Sequence, residues 1–136
     1  MMVIVDTPIW SSALRKSGKS QPTVRNSLAT LIQSRGVVLL GPVRQEILSG
    51  IKERNHFERL RDDLSAFPDY PIIQTDYEEA AICFNKCRAR GVQGSNTDFL
   101  ICAVSLRNTF EIFTDDQDFE KFSTVLGVTL FEALKR

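Results

Sequence analysis

Cysteine and histidine are scarce in this chain of 136 residues, which has three Cys and one His. The cysteines are odd in number and form no CxxC pair, which argues against both a disulfide framework and a zinc cage. Cys83 and Cys87 stand four apart on a helical pattern and, with Cys102, read as small buried hydrophobes, so a reducing, cytoplasmic compartment fits. No apolar run approaches the roughly 18 residues that a membrane-spanning helix needs, and no membrane partner is expected. The opening MMVIVDTPIW has no basic leader, long apolar core or small-residue cleavage site. Net charge is absent too, since 17 Lys+Arg balance 17 Asp+Glu. That balance excludes a polybasic protein whose affinity for nucleic acid is written in its total charge. The zero is a cancellation, however. Residues 1–61 hold ten basic against four acidic groups (+6), and residues 62–136 hold seven against thirteen (−6). With no repeat, low-complexity tract or long linker, residues 1–136 read as one domain able to bury roughly two-thirds of its unfolded surface.

What is present is an alternation of short apolar runs and stretches of helical period. Val3, Ile4 and Val5 form a β-branched run ended by Asp6, and Thr7-Pro8 then reads as an N-cap with proline at the first helical position. Val24, Leu28, Leu31 and Ile32 predict a helix closed by Gly36, and Val37 to Leu40 a second strand. Gly41-Pro42 opens a helix ended by Gly50; Phe57, Leu60, Leu64 and Phe67 share one face of the next. Pro71 to Gln74 reads as a short strand, and Asp76 with Glu79 as a capping box for a helix reaching Gly91. Asn96 caps a further helix, Phe110 to Phe113 is a strand, Phe119 to Phe122 a short helix and Val128 to Phe131 a last strand. The pattern predicts an α/β fold, a parallel sheet with helices on both faces.

In such sheets, sites form beyond the carboxyl ends of the strands. Asp6 follows the first strand directly, where a lone carboxylate beside the core needs a partner. Asp115, Asp116 and Asp118 follow the strand FEIFT, while Asp98 and Glu46 lie in the early turns of helices. Helix-dipole and turn chemistry also suit these last acids taken singly. Together they converge on one rim, and carboxylates 4 Å apart repel by up to ~4 kcal/mol per pair at an effective dielectric of 20. A cation among them is therefore expected, and all-oxygen ligands select Mg²⁺ or Mn²⁺.

VIVDTPIW with Asp6, PVRQEILSG with Glu46, TDFLICAVSL with Asp98 and FTDDQDF together resemble the PIN-domain ribonucleases, specifically the VapC-type toxins of bacterial toxin–antitoxin pairs. The resemblance covers essentially the whole chain. It implies a PIN-like three-layer fold with a central, mostly parallel sheet of 4–5 strands. It implies catalytic roles for Asp6, Glu46, Asp98 and Asp116, with Mg²⁺ or Mn²⁺ held by Asp6, Asp98, Asp116 and Asp118. Thr114, Asp116, Asp118 and Phe119 fill the family's last motif, leaving Asp115 without a role. Thr7, Thr114 and Asn96 resemble hydroxyl- and amide-bearing residues that line such sites, a local capping role being the alternative.

The implied reaction is hydrolysis of single-stranded or loop RNA, of the tRNA or rRNA kind, leaving 5′-phosphate and 3′-hydroxyl ends. Arg15, Lys16 and Lys19, with Lys86, Arg88 and Arg90, are candidates for a basic rim that tracks phosphates, and Trp10 for a stacking platform or a core or dimer contact. The implied partners are a VapB-like antitoxin that places a basic side chain among the carboxylates and a second copy of the chain, giving a heterotetramer or larger. The competing readings are a catalytically silent PIN module that binds nucleic acid or protein, and a metal-dependent DNA nuclease.

Overall fold

The computed structural model describes residues 1–14 and 21–133. Its sheet has three strands, β1 (Val3–Val5), β2 (Val37–Val38) and β3 (Glu111–Phe113), in the order β2-β1-β3 and all parallel. Single bridges extend it at both edges, Leu39 with Asp69 and Ile112 with Leu130. The strand expected at Pro71 to Gln74 does not form, because Pro71 has no amide to donate and Gln74 already begins a helix. Edge pairing falls instead to Leu39, whose carbonyl accepts from Tyr70 N at 2.9 Å. The expected last strand at Val128 to Phe131 likewise reduces to the bridge at Leu130.

Val3, Ile4 and Val5 are all fully buried, although successive strand residues point to opposite faces. Both faces of β1 are therefore covered, as a parallel sheet requires. The covering helices are α1 (Thr7–Leu14), α2 (Pro22–Gln33), α3 (Gly41–Leu48), α4 (Arg54–Leu64), α5 (Gln74–Ala89), α6 (Asn96–Asn108) and α7 (Asp118–Leu126). α1 packs on α2 and α3, and α3 on α4; α5 packs on α6 and α7. α6 is buried along seven consecutive residues, Phe99 to Ser105, and forms the centre of the second group with Phe119 and Phe122.

Several helix ends differ from expectation by one to three residues, for local reasons. α2 closes on Arg35, which takes the left-handed conformation (φ 58°). Gly36 is needed for space instead, since a Cβ there would lie 2.6 Å from the Met1 carbonyl. α5 begins at Gln74, capped by Ile73, so Asp76 sits in its first turn, where its Oδ2 accepts from Ile73 N at 3.0 Å. Arg107 of α6 donates to the same buried carboxylate at 2.6 and 2.8 Å and ties α6 to α5. Arg44 of α3 performs a similar service for α4: its guanidinium donates to the carbonyls of Leu64 and Phe67 and pairs with Asp69 at 2.7 Å. The carbonyl of Leu64, the last residue of α4, and that of Phe67 just beyond it thus accept from a side chain of α3.

Candidate active site

Parallel register brings the first two site residues together. Val5 of β1 lies opposite Phe113 of β3, and Asp6 N donates to Phe113 O at 2.9 Å, so the next residues, Asp6 and Thr114, face each other at the strand ends. Thr114 Oγ1 donates to Asp6 Oδ2 at 2.9 Å and accepts from Asp116 N at 3.0 Å. Because β1 has β2 on one side and β3 on the other, this is the topological switch point, where α/β sheets open a crevice.

α1 starts one residue earlier than expected for a Thr7 cap. The Asp6 carbonyl accepts from Ile9 N at 3.1 Å, and Asp6 Oδ1 accepts from Thr7 N at 2.8 Å, so Asp6 itself caps the helix. The Thr7 hydroxyl is thereby freed and donates to Glu46 Oε1 at 2.7 Å, reaching from α1 to the second turn of α3. Asp98 is positioned from a third direction. Ser95, not Asn96, caps α6: Ser95 Oγ accepts from Asp98 N at 3.1 Å and Asp98 Oδ2 accepts from Ser95 N at 3.0 Å.

The carboxylates at these positions feel one another's charge. Burial pushes the Asp6 carboxyl up to about 6; the hydrogen bonds from Thr114 and Thr7 pull against it, and the charges of Asp98 and Glu46 add to it. Burial also raises Asp98, opposed by the two Ser95 bonds and assisted by the charges of Asp116 and Glu46. Asp6, Glu46, Asp98 and Asp116 therefore form one electrostatic group. Among the described residues no basic side chain pairs with any of the four. Asp76 makes the contrast, since it is just as buried but paired with Arg107, and its carboxyl is held below the usual range.

Asp118 stands apart from this group. It is half exposed at the start of α7, its amide donates to Asp116 Oδ1 at 2.9 Å, and its carboxylate lies 3.9 Å from Lys121. Asp115 is exposed. Asn96 lies in the first turn of α6 and lines a groove with Tyr77 and Thr97. Arg15, Lys16 and Lys19 lie outside the described residues. Arg88 places its guanidinium 5.9 Å from the centre of the Phe84 ring. Trp10 is buried in the core and meets Phe67 edge-on at 5.2 Å, which removes it as a stacking platform for RNA.

Among the described residues no three His, Cys, Asp or Glu side chains are gathered closely enough to make a ready metal cage. The donor chemistry nonetheless fits a hard divalent cation, because the group offers carboxylates and no imidazole. The one nearby sulfur, Cys102, is fully buried, and burial with the charges of Cys83, Asp98 and Asp6 keeps it a neutral thiol. Beside Glu46 the site continues into a cavity lined by His56 and Arg59 of α4, two residues that sequence reasoning missed. Their spacing of three along one helix was the available signal.

The model of the PIN-domain family matches residues 3–125. A search of curated proteins finds no match. Among solved structures, the chain is similar to FitAcB from Neisseria gonorrhoeae, with a TM-score of 0.78 at 18% identity over 96% of this chain and 97% of that one. It is similar to VapBC2 from Rickettsia felis bound to a promoter DNA fragment, with a TM-score of 0.76 at 17% identity over 96% and 98% of the two chains. A toxin–antitoxin complex from Klebsiella pneumoniae matches with a TM-score of 0.68 at 18% identity over 97% and 99%. At these identities the likeness is one of fold.

Proposed function

Because this chain belongs to the PIN-domain family, its fold α/β with a parallel sheet, we propose that it is a metal-dependent endoribonuclease toxin of the VapC kind, acting on single-stranded or loop RNA and neutralised by a VapB-like antitoxin. The observation that carries the reading is Asp6, a buried carboxylate with no basic partner among the described residues, set within the charge of Asp98 and Glu46. A fold that neutralises Asp76 with Arg107 leaves Asp6 to be neutralised by something else. The match to toxin–antitoxin complexes over nearly the whole chain supports the toxin assignment and an antitoxin as partner; a second copy of the chain is part of the same proposal. Residues 1–136 act as one PIN domain in this reading.

Asp6, Asp98 and Asp116 would hold Mg²⁺ or Mn²⁺, with Asp118 as a further ligand and Glu46 acting through water. A bound cation of this kind lowers the pKa of water and offsets charge developing on the phosphate. The chain's own part is orientation. Thr7 holds Glu46, Thr114 holds Asp6 and, through its backbone bond, the Asp116 loop, and Ser95 holds Asp98. In the hydrolysis, a water oxygen bonds to phosphorus, the bond from phosphorus to the 3′ oxygen breaks, and a proton passes to that oxygen. Glu46, held by Thr7 and acting through water, is placed to take up the proton that the attacking water gives up. A basic side chain of the antitoxin entering this group would supply the missing positive charge directly.

The test is incubation of purified protein with a small-RNA pool in Mg²⁺, Mn²⁺ or EDTA, beside Asp6→Asn and Asp98→Asn. Cleavage that needs metal and is lost in both variants is the expected result. Equal cleavage by all three proteins would sink the assignment.

A further inference from the structure

α1, α3 and α4, with the segment joining the last two, border an open cavity of about 500 Å³ whose wall includes Ser11, Leu14, Glu46, Ile47, His56 and Arg59. Sites for small organic ligands commonly measure about 300–1,000 Å³. Glu46 belongs both to this wall and to the acidic group, since its charge reaches Asp6 and Asp98. The cavity is therefore the immediate neighbour of the reaction centre.

Its chemistry is mixed in a particular way. His56 and Arg59 stand three apart on α4 and share a face of that helix. α4 holds three arginines, and two are engaged on its surface: Arg54 with Glu58 at 3.2 Å and Arg61 with Asp62 at 3.3 Å. Arg59, exposed at the rim of the cavity that it helps to line, has no acidic partner among the described residues. Leu14, Ile47, Ile51 and Leu60 supply aliphatic wall. Glu53, the exposed N-cap residue of α4, is the other acid of the lining.

We infer that this cavity is a nucleotide subsite for the RNA, holding a nucleotide next to the cleaved bond. Arg59 meets a phosphate oxygen, His56 meets a polar edge of the base, and the aliphatic wall takes the face of the base. The physical need is clear: a cluster of carboxylates repels a polyanion, and an unpaired guanidinium set to one side of it attracts the adjoining phosphate without occupying the reaction centre. This inference rests on the nuclease reading and deepens it.

The test is fluorescence anisotropy of a labelled single-stranded RNA with the full chain, using Ca²⁺ in place of Mg²⁺, across a series of salt concentrations. Arg59→Ala is expected to weaken binding about tenfold and to reduce the slope of log K against log salt by about 0.7, the share of one phosphate contact on a single strand. Arg59→Lys is expected to restore the slope, and Arg54→Ala to change binding far less. Arg59→Ala that binds like Arg54→Ala overturns the subsite even if metal-dependent cleavage is intact. Binding that depends on Arg59 with no cleavage in any metal supports Arg59 as an RNA contact in this cavity and overturns the nuclease reading, and with it the place beside a cleaved bond. A wild-type chain that binds no RNA overturns both.

Discussion

Thr114 lies 108 residues from Asp6 in sequence and 2.9 Å from it in space, its Oγ1 donating to Asp6 Oδ2 while accepting from the amide of Asp116. One hydroxyl thus links the loop after β3 to the end of β1. Thr114→Val keeps the shape and removes both bonds. Each lost bond at a half-buried site costs about 1 kcal/mol, so the stability measured by urea unfolding should fall by about 1–3 kcal/mol. Mn²⁺ affinity by calorimetric titration should fall as well, since Asp6 loses a donor that favours its ionised form. Thr114→Ser retains both bonds and should behave as wild type.

Asp6→Asn should stabilise the metal-free protein while abolishing cleavage. The folded Asp6 carboxyl titrates at about 6 against an ordinary 3.8, so the folded chain holds this proton more tightly than the unfolded one. Its contribution to stability is present in full below pH 3.8, declines as pH rises to about 6, and is gone above that. The difference of about two units sets an upper bound of ~3 kcal/mol. In EDTA at pH 7, Asp6→Asn should therefore denature at higher urea than wild type, and the advantage should vanish below pH 4.

The sheet and its acids were legible because the chain is locally consistent there. A β-branched run broken by Asp6 has few explanations, and FEIFT followed by a cluster of Asp has few more. The caps were less legible. Ser95 and Asn96 are both good N-caps, and which of them ends the loop depends on Phe99 turning into the core. Asp76 resembled a cap because no local signal announces Arg107, thirty-one residues away, as its partner. The cavity at Glu46 is made by the docking of three helices, and no single segment encodes it. Thr7 shows the same limit from the other side: its hydroxyl reads as a cap in sequence, yet it serves a carboxylate thirty-nine residues on.

Arg107→Met should destabilise the fold through α5 and α6 and leave the chemistry of folded molecules unchanged. Burial alone would raise Asp76, but the bonds from Arg107 and Ile73 N override it and hold its carboxyl below 3.8. A depressed acid stabilises above its unfolded pKa and loses that contribution as pH falls through the folded value. The melting temperature of Arg107→Met should accordingly lie below wild type at pH 7, with the gap closing in acid below pH 4. A gap independent of pH would mean that the ion pair does not operate.

Gly94→Ala should disturb both stability and the site. A Cβ at residue 94 would lie 2.6 Å from Phe122 Cζ and 3.0 Å from Phe99 Cζ, both rings being buried. The segment must shift, at about 1–3 kcal/mol. Because Ser95 is the next residue and aligns Asp98, RNA cleavage by the folded fraction should fall more than the loss of folded protein explains. Chemical denaturation and cleavage rates measured on the same preparation separate the two effects.

The guanidinium of Arg44 carries a consequence for how such a protein diversifies. The end of α4 hangs from α3 at the Leu64 carbonyl and at Phe67 just beyond, gripped by a residue that pairs with Asp69 and lies outside both the carboxylate group and the cavity lining. The outer turns of α4 can therefore take other side chains while Glu46, on the helix that does the gripping, stays where it is. Under the proposed reading, the residues offered to RNA and the acids that do the chemistry sit on separately seated helices, and Arg44 is the joint between them.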